Sequence, residues 1–375
     1  MQASDIPAPP TPDTMSRKEY ALAREMAQTH LFAGTTPQER PKAIVLAGQP
    51  GSGKSRLTRA ASAEMAEQGG AVIIDTDQLR EYHPRYRTLA EADYTTAATK
   101  VQKDAARLTE DVRRTAITEK RNIIVDGTLN NADRAERLMQ KLKESGYEID
   151  VRAMAVHEPV SQRGVAARLE KGLANPDIIP RNVEPHIQAD AFQGMPQSID
   201  RIEQQGLADR VRVYGRDKTA PLYDSAQAPG TTAVQAIAQE RTRPLTPLEI
   251  SEQALDWDMI VQRATARQAP PSDMAAYKAA QKDAHVQLRQ DTIAAREFDA
   301  QATPEQRQQS LSLAAPPGYA IIQPAHGAAG GEKAATAFPA AQEPATATAS
   351  SGQPDSTTSS SKTSDRPVKK DNWHP

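Results

Sequence analysis

Residues 42–57 read KAIVLAGQPGSGKSRL, and the order of events in this stretch decides the fold. Ala43, Ile44, Val45 and Leu46 make a short apolar run with the character of a buried strand. From Ser55 the chain continues SRLTRAASAEMAEQGG, a helical pattern that stops at Gly69 and Gly70. Between them, Gly48, Gln49, Pro50, Gly51, Ser52, Gly53, Lys54 and Ser55 satisfy G-x-x-x-x-G-K-[ST]. Glycines in such a loop let the backbone turn its N–H groups inward, so that a polyphosphate can rest on bare amides at the positive end of the following helix. Lys54 then adds a point charge at the β- and γ-phosphates, and the Ser55 hydroxyl offers a ligand for Mg²⁺. A loop that merely turns the chain has no need of strand, glycines and helix in this order, so the motif predicts nucleotide binding.

Outward from this loop the same alternation repeats. Apolar runs at AVIID (71–75), NIIVDG (122–127), IDVRAMAV (149–156) and RVRVYG (210–215) are separated by helical patterns. The expected fold class is therefore α/β, a P-loop kinase-like parallel sheet flanked by helices. Ligands of such sheets bind at the carboxyl ends of the strands. The organisation expected is a proline-rich disordered start (1–15), a kinase-like domain (16–216) whose first helix spans Ser16 to Phe32, a linker (217–244), a helical extension (245–300) and a disordered low-complexity tail (301–375). The extension opens with a capping box, Thr246-Pro247-Leu248-Glu249, followed by a stripe of Ile250, Ala254, Trp257, Val261 and Ala264, and a second helix is expected from Ser272 to about Phe298. That stripe needs a surface. Docking near the nucleotide cleft as a restraint in cis, packing elsewhere for stability, and reservation for a partner protein all satisfy it.

Composition narrows the function. Only 38% of the 375 residues are hydrophobic and 4% aromatic, too little for a core along the whole length. A net charge of −2 offers no general attraction to nucleic acid or to an anionic membrane. With no cysteine, a disulfide framework, a thiol nucleophile and a Cys-based zinc site are excluded. No apolar run is long enough to span a bilayer, and the start MQASDIPAPPTPDT lacks the pattern of a secretory signal. A soluble protein acting in a cytoplasm, its own or a recipient's, is the expectation.

The residues after each apolar run are the candidates for chemistry. In IIDTDQLREYHP, Asp75 and Asp77 are carboxylates able to take a proton from a hydroxyl or help hold Mg²⁺, or equally to cap a turn or helix. Asp126-Gly127-Thr128 offers an acid for a metal-bound water and a hydroxyl for substrate, with a solvated loop carboxylate as the rival reading. In ARLEKGLANPDIIPRN, Arg168 falls late in a helical segment and Arg181 in a loop punctuated by Pro and Asn. Arginines over a phosphate site neutralise the charge of a transferred phosphoryl group, although a solvated helix face is the ordinary place for an arginine. His83, before Pro84, fits a structural role, and the seven histidines show no metal-ligand spacing. No N-K-x-D motif is present, which argues against a GTPase.

Taken together, AGQPGSGKS, VIIDTDQLREYHP, LTEDVRRTAITEKRNIIVDGT, AMAVHEPVSQRGVAARLE and IIPRN, in this order across about residues 40–216, resemble the zeta toxin family of P-loop kinases from toxin–antitoxin systems. The resemblance implies transfer of the γ-phosphoryl of ATP, with Mg²⁺, to the 3′-hydroxyl of the amino sugar in UDP-N-acetylglucosamine. It implies ATP and metal at Lys54 and Ser55, Asp77 as general base, Glu110 and Thr128 on the substrate side, and Arg168 and Arg181 on the phosphates. Glu110 enters by resemblance alone, since Arg107 or Arg114 one helical turn away would pair with it as readily. The resemblance implies the nucleotide sugar and an antitoxin as partners; the extension 245–300 could supply the antitoxin role in cis, and composition argues against a membrane and disfavours nucleic acid. The departures are Ser55 where many members have threonine, Asp126 where glutamate is usual, and the long C-terminal extension. The rival readings are a kinase for nucleic-acid 5′ ends or for NAD, and a non-catalytic nucleotide-binding module.

Overall fold

The computed structural model describes residues 13–216, 218–227, 230–303 and 305–306. The apolar runs become β1 (Lys42–Ala47), β2 (Val72–Asp75), β3 (Ile123–Asp126), β4 (Glu148–Met154) and β5 (Arg210–Tyr214), all parallel to their neighbours. With a sixth strand, β6 (Tyr223–Asp224), antiparallel on β5, the sheet order is β2-β3-β1-β4-β5-β6. The chain leaves β1 for β2, two places away, and later crosses to β4 on the other side. The carboxyl end of β1 is thus the switch point where a crevice opens.

Period-two alternation along β1 sorts the core. Ala43, Val45 and Ala47 face a large cluster built with α1 (Arg17–Phe32), α5 (Ala97–Thr118), α6 (Ala132–Glu144), α8 (Pro185–Gln204) and α9 (Ala233–Thr242). Ile44 and Leu46 point the other way, onto Leu57, Ala61 and Met65 of α2 (Lys54–Ala66). Burying Leu57 and Met65 contributes about 1.5–3 kcal/mol for each side chain, enough to seat a helix whose N-terminus must stay open to solvent. The remaining helices are a one-turn α3 (Thr76–Leu79), followed by a 3₁₀ turn (Arg80–Tyr82), α4 (Tyr86–Ala92), α7 (Glu158–Leu173), α10 (Pro247–Ala266) and α11 (Pro271–Gln301).

Three expectations need correction. The stretch 217–244 is not a plain linker: it carries β6, whose Asp224 receives a two-pronged ion pair from Arg210, and α9, which buries Ala233, Ala236 and Ile237. A two-residue strand is too short to show alternation, and an alanine-rich helix shows little contrast between its faces. At the other end, Met15 is buried and its backbone N–H donates to Asp104 at 2.7 Å, so packing begins inside the supposedly disordered start. Residues 1–12 and nearly all of the tail lie outside the described residues. Finally, α10 buries Ile260 and leaves Val261 half-buried, because a 3.6-residue period rotates the stripe by one position.

Candidate functional site

Strands β1, β2 and β3 deliver their candidates to one end of the sheet. After β1 the chain turns through Gly51 (φ +77°) and Gly53 (φ +98°) into α2, which begins at Lys54. Lys54 Nζ curls back and donates to the carbonyl oxygens of Gly48 at 2.7 Å and Gln49 at 3.4 Å. Ser55 is exposed at the mouth, while Ser52 is buried with no hydrogen-bond partner for its hydroxyl among the described residues. One turn along α2, the Thr58 hydroxyl donates to Asp126 Oδ2 at 2.9 Å.

Asp75 and Asp77 divide the two readings between them. Asp75 ends β2 and its Oδ1 accepts the backbone N–H of Asp77 at 2.8 Å, capping α3. Asp77 accepts from Arg80 Nη1 at 2.6 Å. Burial pushes the Asp75 carboxyl up to about 6, with Asp77 and Asp126 adding like-charge repulsion. Burial works against Asp77 too, but Arg80, Arg168, Arg181 and Lys54 together outweigh it and hold this carboxyl below its ordinary value. Lys54 is itself lowered by burial, against the pull of Asp126, Asp77 and Asp75. Three carboxylates and four cations are therefore close enough to feel one another's charge, and that mutual influence is what makes this a candidate site.

Protonation of Asp75 has a testable sign. Its folded value of about 6 lies above the ordinary 3.8, so the native state binds the proton more tightly, and stability from this group is lost as pH rises through about 6. Asp75→Asn keeps the cap and removes the charge. It should raise stability by about 1–3 kcal/mol at pH 8 and by little at pH 4, as read by chemical denaturation at both values.

Arg168 projects from α7, and burial lowers its guanidinium from the usual range. Its Nε and Nη2 are buried with no hydrogen-bond partner among the described residues. Unpaired buried donors of this kind call for an anion. Arg181 lies in the loop after α7 and pairs with Glu81 at 2.7 Å; burial opposes its charge, but the Glu81 bond and the field of Asp77 raise it. Lysine, arginines and glycine-rich backbone together fit a polyphosphate.

Neither Glu110 nor Thr128 is bonded to this cluster among the described residues. Glu110 pairs with Arg113, while Arg107 lies over the Tyr20 ring and Arg114 pairs with Asp111. Glu110 also lines a groove between α5 and α6 with Arg134, Arg137 and Lys141. Thr128 is half-buried in the loop after β3. His83 is buried, its Nδ1 accepting from the Arg85 backbone, and burial lowers its basicity, in keeping with a structural role.

Sequence reasoning missed the parts that hold the P-loop. A Cβ on Gly164 would lie 2.3 Å from the Gly51 carbonyl oxygen, and one on Gly51 would lie 2.1 Å from the Ser161 carbonyl oxygen, so loop and α7 meet backbone to backbone. The isolated glycine in SQRGVAARLE is the signal that was available. Arg216 donates to the Gly51 carbonyl at 2.9 Å, and Arg241 of α9 donates to the Gln49 side chain at 3.3 Å while lying over the Phe192 ring. Gly164→Ala should cost about 1–3 kcal/mol by forcing these backbones apart, whereas Gly127→Ala, which would meet no atom within 4 Å, should cost much less. Thermal unfolding of the two variants checks this.

Fold and site together define a P-loop kinase-like, nucleotide-binding protein. The sequence profile of the zeta toxin family matches residues 28–228, more than half of the chain. This chain belongs to the zeta toxin family, a family of kinase-like phosphotransferases. Among curated relatives, toxin PezT of Streptococcus pneumoniae serotype 4 is 29% identical over 229 residues, covering 60% of this chain and 87% of PezT. Toxin zeta of Streptococcus pyogenes is 27% identical over 220 residues, covering 59% of this chain and 76% of its own. A solved structure of the PezAT chromosomal toxin–antitoxin system of Streptococcus pneumoniae matches with a TM-score of 0.56 at 23% identity, over 68% of this chain and 97% of that one. Among the described residues, no helix is long and apolar enough to cross a membrane.

Proposed function

We propose that this protein is a toxin kinase that transfers the γ-phosphoryl group of ATP to the 3′-hydroxyl of the amino sugar in UDP-N-acetylglucosamine. The observation that carries the reading is the gathering of Lys54, Arg168 and Arg181 about Asp77, with two buried Arg168 donors that have no partner among the described residues and suit an anion. Simple nucleotide binding needs neither the arginines nor the carboxylate, which counts against a silent module. The bond from the γ-phosphorus to its bridging oxygen breaks, a bond to the sugar oxygen forms, the hydroxyl proton passes to Asp77, and ADP leaves.

A carboxyl held below its ordinary value is a weak base, so Asp77 acts chiefly by orienting the hydroxyl, and takes the proton late. Arriving phosphates compete for Lys54, Arg168 and Arg181, which weakens their hold on Asp77 and makes it more basic once ATP is bound. Mg²⁺ would be held by the Ser55 hydroxyl and phosphate oxygens, with Asp126 acting through water, and would supply charge neutralisation. Glu110 and Thr128 form the substrate side of this reading. Depletion of a cell-wall precursor in a cytoplasm would make the activity toxic, and an antitoxin partner is proposed from the names of the relatives.

The deciding experiment incubates the purified protein with ATP, Mg²⁺ and a panel of UDP-sugars, NAD and oligonucleotides, and identifies products by mass spectrometry. Phosphorylated UDP-N-acetylglucosamine is expected. A phosphorylated oligonucleotide or NAD instead would overturn the substrate, and transfer to none of them by folded protein would overturn the kinase.

A further inference from the structure

Helix α7 has two working faces. Ser161, Gly164, Val165 and Arg168 lie along the one that meets the P-loop and the phosphate site. Arg163, Ala166, Ala167 and Glu170 lie along the other, against the hairpin of α10 and α11, in a cluster with Ala254, Trp257, Ile260 and Ala284. At the end of this second face Glu170, whose side chain is fully buried, accepts both prongs of Arg267 at 2.9 and 2.7 Å. Arg267 caps α10 and also lies 3.4 Å from Asp273 in the first turn of α11. Asp273 in turn accepts from the Tyr94 hydroxyl at 3.1 Å, and Tyr94 sits in the connection from α4 to α5. Next to it, the Thr95 carbonyl accepts from Asn182, the neighbour of Arg181. One turn of chain at Arg267 therefore ties the helix carrying Arg168 to the opposite wall, which receives the loop carrying Arg181.

We propose that the α10–α11 hairpin is a positioning brace for the two arginines, with the buried Glu170–Arg267 pair as its pin. This rests on the phosphotransferase reading above. The hairpin occupies the face of α7 turned away from the P-loop, so it backs the site and does not plug it. Alanines against Trp257 and Ile260 hold α7 near the hairpin with little resistance to sliding, and Arg163 adds a single-point contact to Asp256 at 3.3 Å, whereas the two-pronged Glu170–Arg267 contact is the one whose geometry fixes a register. A buried ion pair adds little stability over an apolar pair of similar volume, so register is the property it confers here. Residues 247–301 lie beyond the 28–228 matched by the family profile. Arg267 is thus a positioning residue of the extension, touching no substrate itself.

The test separates register from stability. In Glu170→Met/Arg267→Met an apolar pair replaces the pin, and the melting temperature should stay within a few degrees of wild type. Its kcat should fall about 10–100-fold, the loss expected when a clamping group is misplaced by about an ångström, with KM for ATP within about threefold. Amide hydrogen exchange in residues 158–173 should quicken. Arg267→Lys, which keeps the charge but not the fork, serves if the double variant does not fold: lowered kcat at unchanged melting temperature supports the brace, and wild-type kcat overturns it. Wild-type kcat with unchanged exchange in the double variant likewise overturns it. If the wild-type protein transfers no phosphoryl group, the kinase reading has failed separately, and exchange in 158–173 alone decides whether the pin holds α7.

Discussion

Asp77→Asn is expected to lower kcat at least about a hundredfold while leaving nucleotide binding as tight as before or tighter. Asparagine keeps the shape and still offers an oxygen to Arg80, so the 3₁₀ turn should persist. What it loses is the ability to receive the hydroxyl proton. It also removes a negative charge that Arg80, Arg168, Arg181 and Lys54 now balance, leaving those cations freer to hold phosphate. A saturating-substrate turnover assay with a nucleotide titration checks both halves. Near-normal kcat would show that the proton goes elsewhere, and a large loss of ATP affinity would mean that Asp77 holds the nucleotide rather than the hydroxyl.

Arg168→Lys should also be damaging, with kcat down at least about tenfold. Lysine restores a positive charge but not the planar set of donors whose Nε and Nη2 have no partner among the described residues. Burial already disfavours the guanidinium charge, and a buried ammonium is lowered more readily still, so part of the lysine population would be neutral in the absence of nucleotide. Full activity would reduce Arg168 to a structural cation. Rescue at lower pH, where the ammonium is charged, would show that charge and not the fork is what matters.

How far these residues were legible in the sequence depends on the range of the contact that defines them. Lys54 and Ser55 announce themselves because the P-loop is local: strand, loop and helix start lie within residues 42–57. Asp77 and Asp126 were visible as acids following apolar runs, but nothing local said that Asp75 would be spent on a cap while Asp77 faced the cations. Arg168 and Arg181 could be picked out by position, late in a helix and in a Pro-punctuated loop, but among 46 basic residues a solvated face was as ready a reading for either until the resemblance gave them roles. Glu170 and Arg267 meet across 97 positions and Arg241 and Gln49 across 192, separations at which no periodicity or spacing carries a signal. Strands β1 to β5 were readable from their apolar runs, whereas β6 and α9 hid in a stretch whose prolines and glycines advertise turns.

The late arrival of α9 sets where the chain can be shortened. An end near Arg216, the natural stopping place for anyone reading the sequence, would strip β6 from the sheet and uncover the N–H and C=O groups along β5. It would also remove Arg241, which donates to the Gln49 side chain within the P-loop. A shortened chain that keeps the whole sheet and the supports of the P-loop therefore has to run past α9, to about residue 244, and one that also keeps the hairpin behind α7 has to run to about residue 301.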